Sequence, residues 1–329
     1  MRQELSKGSV VSMKGLLCIA VLFHHINQCL SCFDNTIIDL VLNNLGYLAV
    51  AGFYFFSGYG LTTQTQLKTG YERKLLISKI LPTYLVYLVI VFFYSIIEIT
   101  TSVNSSTKTI FRTFIFGGTI VKNGWFFQSI LMCYIFFWIS FSIFKSNKTK
   151  LGVLSLFLAV YVAVCIFMDL DAMWYQSVLC FLVGVLWRIY ESKLVDFSKC
   201  LWFVVTAIAF VTFFIIEKMV DEYYIAVVIK GFSACCFVLI MIWLMYKFAF
   251  IEKIKPIKWL GKYSMEAYAF HGLALVLFRR DLIWINNDIL FALCVCVFTF
   301  AFSFIIHPLF EKINKKCKVW AEKNNAKKG

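Results

Sequence analysis

Ten apolar stretches of roughly 17–25 residues recur along this chain, and they restrict its possible folds more than any other feature. About 20 apolar residues in a helix cross the hydrocarbon core of a bilayer, and a soluble core has no place for ten such stretches. The sequence is 61% hydrophobic and 15% charged, against the ~25% of charged residues in soluble domains. We therefore predict an all-α, polytopic transmembrane helix bundle, with residues 1–329 forming a single integral-membrane domain.

The predicted spans follow one another without an intervening soluble domain. They cover residues about 12–30, 44–62, 78–98, 124–144, 150–168, 173–190, 200–217, 223–247, 263–279 and 288–310. The longest connection, about 99–123, is rich in Ser and Thr and then aromatic, and we expect it to lie along the membrane surface.

The basic residues are distributed unevenly between the two sides of these spans. If the N-terminus is cytoplasmic, the inner segments contain 25 of the 32 Lys and Arg residues. Cytoplasmic loops of membrane proteins carry such an excess. The distribution predicts that both termini are cytoplasmic. It also accounts for the net charge of +14, so we expect no nucleic-acid partner.

The first predicted span contains two adjacent histidines near its middle, His24 and His25, and ionisable groups are costly there. Lys14 and His25 are eleven residues apart, which is three helical turns with about 20° left over, so they share a face. His24 points about 80° away from Lys14. His25 lies roughly 16 Å deeper than Lys14 at 1.5 Å per residue.

This geometry favours a long ligand with its anionic part at Lys14 and its reactive end at His25. A neutral imidazole can take a proton from a hydroxyl group and return it to a leaving group near neutral pH. The alternative is a structural histidine that is hydrogen-bonded to a carbonyl group of a neighbouring helix.

The ninth predicted span carries a second polar group. Ser264, Tyr268 and His271 follow i, i+4, i+7 spacing and share one helix face. We expect His271 to face the same cavity as His25 and to help bind an acceptor, with a purely structural hydrogen bond as the alternative. Glu266 lies off this face and is expected to pair with Lys262.

Several stretches resemble the acyltransferase 3 family of integral-membrane acyltransferases. That family has a basic residue, ten intervening residues and a histidine in its first span, and here Lys14 and His25 fill those places, with Gly15 following as in many members. Lysine stands where arginine is common. Further blocks in family order are FYFFSGYGL (53–61), KILPTYLV (79–86), WFFQSILMCY (125–134) and LGKYSMEAYAFH (260–271).

The resemblance implies a multi-pass O-acyltransferase of the inner (cytoplasmic) membrane. Such enzymes transfer an acyl group, most often acetyl, from cytoplasmic acyl-CoA to a sugar hydroxyl of a surface polysaccharide or its lipid-linked precursor. The partners are then acetyl-CoA as co-substrate, the glycan acceptor and the lipid bilayer, and no metal is expected. His25 is the favoured general base, His24 is the second candidate, and Lys14 orients the donor.

The remaining candidate residues each have a structural alternative. Arg73, Lys74 and Lys79 loosely represent a paired-arginine motif of the family and hold CoA phosphates, or they reflect topology alone. Ser57 hydrogen-bonds a substrate, or it belongs to a small-residue stretch, Ser57 to Gly60, that lets two helix backbones approach closely. Trp125 stacks on carbohydrate, or it anchors the chain at the interface. Tyr268, on the same helix face as His271, is a further candidate for binding the acceptor.

A proton-coupled membrane transporter or glycan flippase is the rival interpretation. Buried histidines and Lys230 would then form a proton relay. Transporters of this kind usually carry internal repeats with broken helices, and the sequence shows no such repeat. The pattern therefore favours the enzyme.

Overall fold

The computed structural model describes residues 4–30, 34–100, 109, 113–114, 120–121, 123–194, 200–280 and 283–326. Most of the predicted connection 99–123 lies outside these residues. The helices follow the chain as α1 (Lys7–Asn27), α2 (Ile37–Leu67), α3 (Tyr71–Leu75), α4 (Leu81–Thr100), α5 (Trp125–Ile143), α6 (Asn147–Phe167), α7 (Leu179–Tyr190), α8 (Cys200–Met219), α9 (Tyr223–Lys247), α10 (Lys255–Lys262), α11 (Ser264–Phe278) and α12 (Asp288–Ala326).

Helix dominates the described chain. Within it, nine helical stretches are long and apolar enough to cross a membrane. The tenth predicted span, 263–279, is the shorter apolar helix α11 of 15 residues. Short 3₁₀ turns and one antiparallel pair, Arg279–Arg280 with Ile283–Trp284, connect the helices. The prediction of an all-α, polytopic helix bundle is confirmed.

Helix α1 begins and ends earlier than the hydropathy of the sequence predicted. The Ser6 hydroxyl accepts a hydrogen bond from the Ser9 N–H at 2.9 Å, so Ser6 caps the helix N-terminus inside the polar flank. Ser6 also donates to the Glu252 carboxylate, and this hydrogen bond holds the pKa of Glu252 below its usual value. The helix ends at Asn27, so the prediction that His24 and His25 lie near the middle of the helix is wrong, because both are in its last turn.

Contacts divide the chain into two compact units, and the divisions fall within α1, α2, α3, α5 and α10. The first unit comprises Met1–Leu17, Tyr47–Arg73 and Cys133–Gly261; the second comprises Cys18–Gly46, Lys74–Met132 and Lys262–Gly329. The single domain over residues 1–329 stays a prediction.

In the first unit, helices approach each other closely at glycines. A Cβ atom on Gly58 of α2 would meet the carbonyl oxygen of Phe181, and one on Gly184 of α7 would meet that of Phe55. The predicted close backbone approach at Ser57–Gly60 is therefore confirmed at Gly58. The same unit buries the Glu191 carboxylate among several hydrogen-bond donors.

In the second unit, α4, α11 and α12 pack through aromatic side chains. The ring of Phe93 lies 5.7 Å from that of Phe270 and 5.2 Å from that of Phe302. A π-helical turn, Leu76–Ile80, joins α3 to α4 and packs against α12. Pro82 lies two residues after this turn. Because proline has no N–H to donate, the regular helical hydrogen bonding is interrupted here.

The last turn of α1 joins the same unit through a buried apolar cluster. It contains Leu22 and Ile26 of α1, Ala274 and Leu275 of α11, and Phe291 and Val295 of α12. Burial of these side chains removes apolar surface from contact with solvent or lipid and fixes α1 beside α11. The packing therefore brings the histidines of α1 toward the middle of α11.

Candidate active site

Three imidazole rings from two helices lie together in the second unit. The ring of His25 is 4.7 Å from that of His24 in an edge-on arrangement and 4.9 Å from that of His271 in a stacked one. His25 is therefore the central ring. His24 and His25 are half-buried, whereas only 1% of His271 is exposed.

The His24 ring is held by hydrogen bonds at both of its nitrogens. Nδ1 lies 2.9 Å from the carbonyl oxygen of Leu42, and since a carbonyl can only accept, Nδ1 carries the proton. Nε2 lies 3.2 Å from the side-chain amide nitrogen of Gln28, which donates to it. The ring also packs against Gly46 of α2, where a Cβ atom would collide with it.

The His25 ring is oriented by the other end of the same amide. Its Nδ1 lies 2.9 Å from Oε1 of Gln28, an acceptor, so Nδ1–H donates. In a neutral ring the second nitrogen, Nε2, then holds the basic lone pair. That tautomer is the one a general base at Nε2 needs.

His271 is fixed in the middle of α11. Its Nδ1–H donates to the carbonyl oxygen of Tyr268 at 2.7 Å, and its Nε2 accepts from the side-chain amide of Asn123 at 3.1 Å. Asn123 adopts a left-handed backbone conformation, with φ of 65°, just before α5 begins. Asparagine tolerates that conformation better than most residues do. The stacked His271 is thus a neutral ring in these hydrogen bonds.

Aromatic side chains surround the buried end of this cluster. The ring of Tyr268 lies 4.8 Å from that of Phe126 and 5.5 Å from that of His271. Tyr268 is 5% exposed. It contacts His271 through its carbonyl oxygen and its ring. Trp125 is half-buried, with its ring 6.0 Å from that of Phe126.

Two predicted site residues, Lys14 and Ser57, belong to the first unit. The Lys14 ammonium lies 5.8 Å from the centre of the Phe56 ring, and the residue is half-buried. The Ser57 hydroxyl accepts a hydrogen bond from Tyr134 at 3.4 Å. Helix α1 contains both Lys14 and His25, as the apolar run at about 12–30 predicted.

The three basic residues predicted to hold phosphates lie between α2 and α4, in α3 and the π-helical turn. Arg73 is exposed in α3, and Lys74 follows it half-buried. Lys79 is half-buried in the π-helical turn, where its carbonyl oxygen accepts from Thr83 at 2.8 Å. Interrupted helical turns of this kind are frequent at functional sites.

A family model described as an acyltransferase domain, that of the acyltransferase 3 family, matches residues 9–307 of the 329. The chain belongs to the acyltransferase 3 family. No curated protein and no solved structure gave a significant match. The match and the apolar helices together make this protein a multi-pass membrane acyltransferase.

Gly15, the residue that follows the basic position in many acyltransferase 3 members, has a packing role in this protein. A Cβ atom on Gly15 would collide with the carbonyl oxygen of Ile257, and one on Gly261 would collide with that of Val11. Helix α1 therefore crosses α10 backbone to backbone. A side chain larger than hydrogen has no space at either glycine.

Sequence reasoning about this acyltransferase missed Gln28 and Asn123. Gln28 lies three residues after His25 and four after His24, the two spacings at which helical side chains meet, so the pattern HHxxQ was a usable signal. Asn123 is 148 residues from His271 in the chain. No local pattern connects those two positions.

Glu266 of the acyltransferase has a different partner from the one predicted. Its carboxylate accepts a hydrogen bond from Nδ1 of His307 at 2.6 Å, rather than pairing with Lys262. The reason is burial, because 3% of the Glu266 side chain is exposed and it faces α12. Among the described residues, no group of three or more His, Cys, Asp or Glu is arranged to hold a metal ion.

Proposed function

We propose that this membrane acyltransferase moves an acyl group, acetyl in the simplest case, from acyl-CoA to a sugar hydroxyl. The acceptor is a cell-surface polysaccharide or its lipid-linked precursor. In this proposal the enzyme lies in the inner (cytoplasmic) membrane with both termini in the cytoplasm, where acyl-CoA is available. The support is membership of the acyltransferase 3 family and the basic inner segments.

His25 is the proposed general base, and the observation that carries this assignment is the hydrogen bond from its Nδ1 to Gln28. With Nδ1 protonated, Nε2 takes the proton of the sugar hydroxyl while the oxygen forms a bond to the thioester carbonyl carbon. The carbon–sulfur bond then breaks, and Nε2–H returns the proton to the CoA thiolate. A positioned base of this kind typically contributes 10²–10⁴-fold to the rate.

Both nitrogens of His24 take part in hydrogen bonds, one of them with a backbone carbonyl. We assign it to holding Gln28. A covalent route, in which an acyl-histidine forms before the sugar attacks, uses the same His25 nitrogen. Incubation with labelled acetyl-CoA in the absence of acceptor separates the two routes, since only the covalent one traps label on the protein.

The basic residues are proposed to bind the anionic donor. Lys14 orients the acyl-CoA, and Arg73, Lys74 and Lys79 contact its phosphates, with lysine acting as a point charge rather than a bidentate fork. On the acceptor side, we assign His271 and Tyr268 to binding the sugar, Ser57 to a hydrogen bond with it and Trp125 to stacking on it.

The experiment that tests the proposal replaces His25. We expect His25→Ala to lower acetyl transfer from labelled acetyl-CoA to the membrane glycan fraction by about 10²–10⁴-fold at normal expression. Phe23→Ala is the matched control, because Phe23 lies two residues before His25 in α1 and is 48% exposed. Full activity of His25→Ala would refute the assignment.

A second measurement separates the enzyme from a transporter or flippase. Acyl-CoA should raise the thermal unfolding temperature of the purified enzyme, because a ligand that binds the folded state stabilises it. A transporter of glycan should not respond. Mass spectrometry of glycan from a deletion strain and its parent then identifies the acceptor by the loss of an acyl-sized mass.

A further inference from the structure

The side chain of Gln28 connects two of the three imidazoles through opposite ends of one amide. Its Oε1 lies 2.9 Å from Nδ1 of His25, and its amide nitrogen lies 3.2 Å from Nε2 of His24. Seen from this pair alone, the amide has two possible orientations, and each gives His25 a different tautomer.

The Leu42 carbonyl removes that ambiguity. It faces Nδ1 of His24 at 2.9 Å and can only accept, so Nδ1 of a neutral His24 carries the proton and Nε2 must accept. The acceptor at Nε2 requires the NH₂ end of Gln28. The oxygen end then faces His25, whose Nδ1 must donate. A backbone group of α2 thereby determines the tautomer of a ring in α1.

We propose that Gln28 is a positioning residue that holds His25 in the tautomer with its lone pair on Nε2. The inference rests on the proposed function, in which His25 is the base. The chain of hydrogen bonds runs in one direction, from His25 through Gln28 and His24 to the Leu42 carbonyl. Gly46 completes it, because the absence of a side chain there admits the His24 ring.

The titratable rings of His24, on the same helix, and of His271, on α11, lie beside that of His25. Both are neutral donors at Nδ1 and acceptors at Nε2 in the hydrogen bonds described. A negative charge placed at residue 28 would therefore act on His25 directly, and it would favour the protonated imidazole. The pH dependence of the rate is therefore a measurement that a purely structural role of residue 28 would not change.

The test compares Gln28→Leu and Gln28→Glu in the full-length enzyme, with acetyl transfer from labelled acetyl-CoA to parent-strain membranes as the assay. Gln28→Leu removes both ends of the bridge at similar size, and we expect kcat to fall about 10- to 100-fold, as when an orienting partner is lost, with KM for acetyl-CoA unchanged. Gln28→Glu keeps the acceptor for His25, and we expect the acid limb of the pH–rate profile to move to higher pH.

Gln66→Leu is the control, since Gln66 is an exposed glutamine of α2. Thermal unfolding of each purified variant distinguishes loss of catalysis from loss of folding. The inference is overturned if Gln28→Leu keeps the parental kcat and Gln28→Glu keeps the parental pH profile while His25→Ala is inactive. Full activity of His25→Ala would instead refute His25 as the base, and this inference with it.

Discussion

The rings of His25 and His271 stack with their centroids 4.9 Å apart and their planes 24° from parallel. One ring comes from the last turn of α1 and the other from the middle of α11. When His25 accepts a proton it becomes a cation over the face of a neutral aromatic ring. An interaction of that type contributes about 0.5–2 kcal/mol, depending on how dry the site is.

The first prediction follows from this stack. Replacing His271 with alanine should lower kcat by roughly 2- to 30-fold, which is that free energy expressed as a rate. His271→Phe keeps an aromatic face beside His25 and should retain more activity than His271→Ala. Steady-state kinetics of the two variants checks this. Equal losses in both would mean that His271 acts through its nitrogens instead.

The second prediction concerns Asn123, whose amide donates to His271 from a left-handed backbone conformation. Asn123→Gly removes the amide but tolerates the conformation, whereas Asn123→Ala removes the amide and adds backbone strain of about 1–2 kcal/mol. Both variants should lose activity to a similar extent. Asn123→Ala should have the lower Tm of the two, because it alone adds the backbone strain, and identical Tm values would contradict this account.

The helices of this protein were predictable because their signal is local. A stretch of about 20 apolar residues identifies a span from neighbouring residues alone. Nine helices of the described chain are long and apolar enough to match this prediction. The start of α1 was missed because Ser6 and Ser9 are polar and hydropathy places them outside. Helix capping depends on side-chain geometry that an apolar window does not measure.

The site was only partly predictable, for a similar reason. The apolar run at about 12–30 predicted correctly that Lys14 and His25 belong to one helix. The partners of the histidines come from distant parts of the chain, Leu42 from α2 and Asn123 from the segment before α5. A single sequence does not reveal which backbone carbonyl or amide will meet a ring after folding.

The third prediction uses two glycines with opposite surroundings. A Cβ on Gly15 would collide with backbone atoms of α10, and backbone atoms cannot rotate away, whereas Gly60 has nothing within 4 Å of its Cβ position. Alanine is otherwise favoured over glycine within a helix by about 1 kcal/mol. Gly60→Ala should therefore leave Tm unchanged or raise it, and Gly15→Ala should lower it. If both substitutions raise Tm, the close crossing of α1 and α10 is wrong.

The fourth prediction concerns a buried carboxylate in the first unit. Glu191 accepts hydrogen bonds from the hydroxyls of Tyr59 and Tyr246 and from the backbone N–H of Leu5, and it pairs with Arg188 at 2.8 Å. Glu191 is 6% exposed, so the carboxylate ties the start of the chain to α2, α7 and α9. Removing one member of such a buried pair costs about 3–5 kcal/mol, because the other charge stays buried without its buried partner.

Arg188 also contacts Glu4 at 3.2 Å, and this second carboxylate provides an internal control because its side chain is 59% exposed. An exposed ion pair contributes about 0–1 kcal/mol, since water and salt screen it. Glu191→Gln should therefore lower Tm strongly and reduce the yield of folded protein, while Glu4→Gln should change Tm little. Thermal unfolding in detergent measures both. If the two substitutions have equal effects, the stabilisation depends on the guanidinium charge in general, and Glu191 has no special role in it.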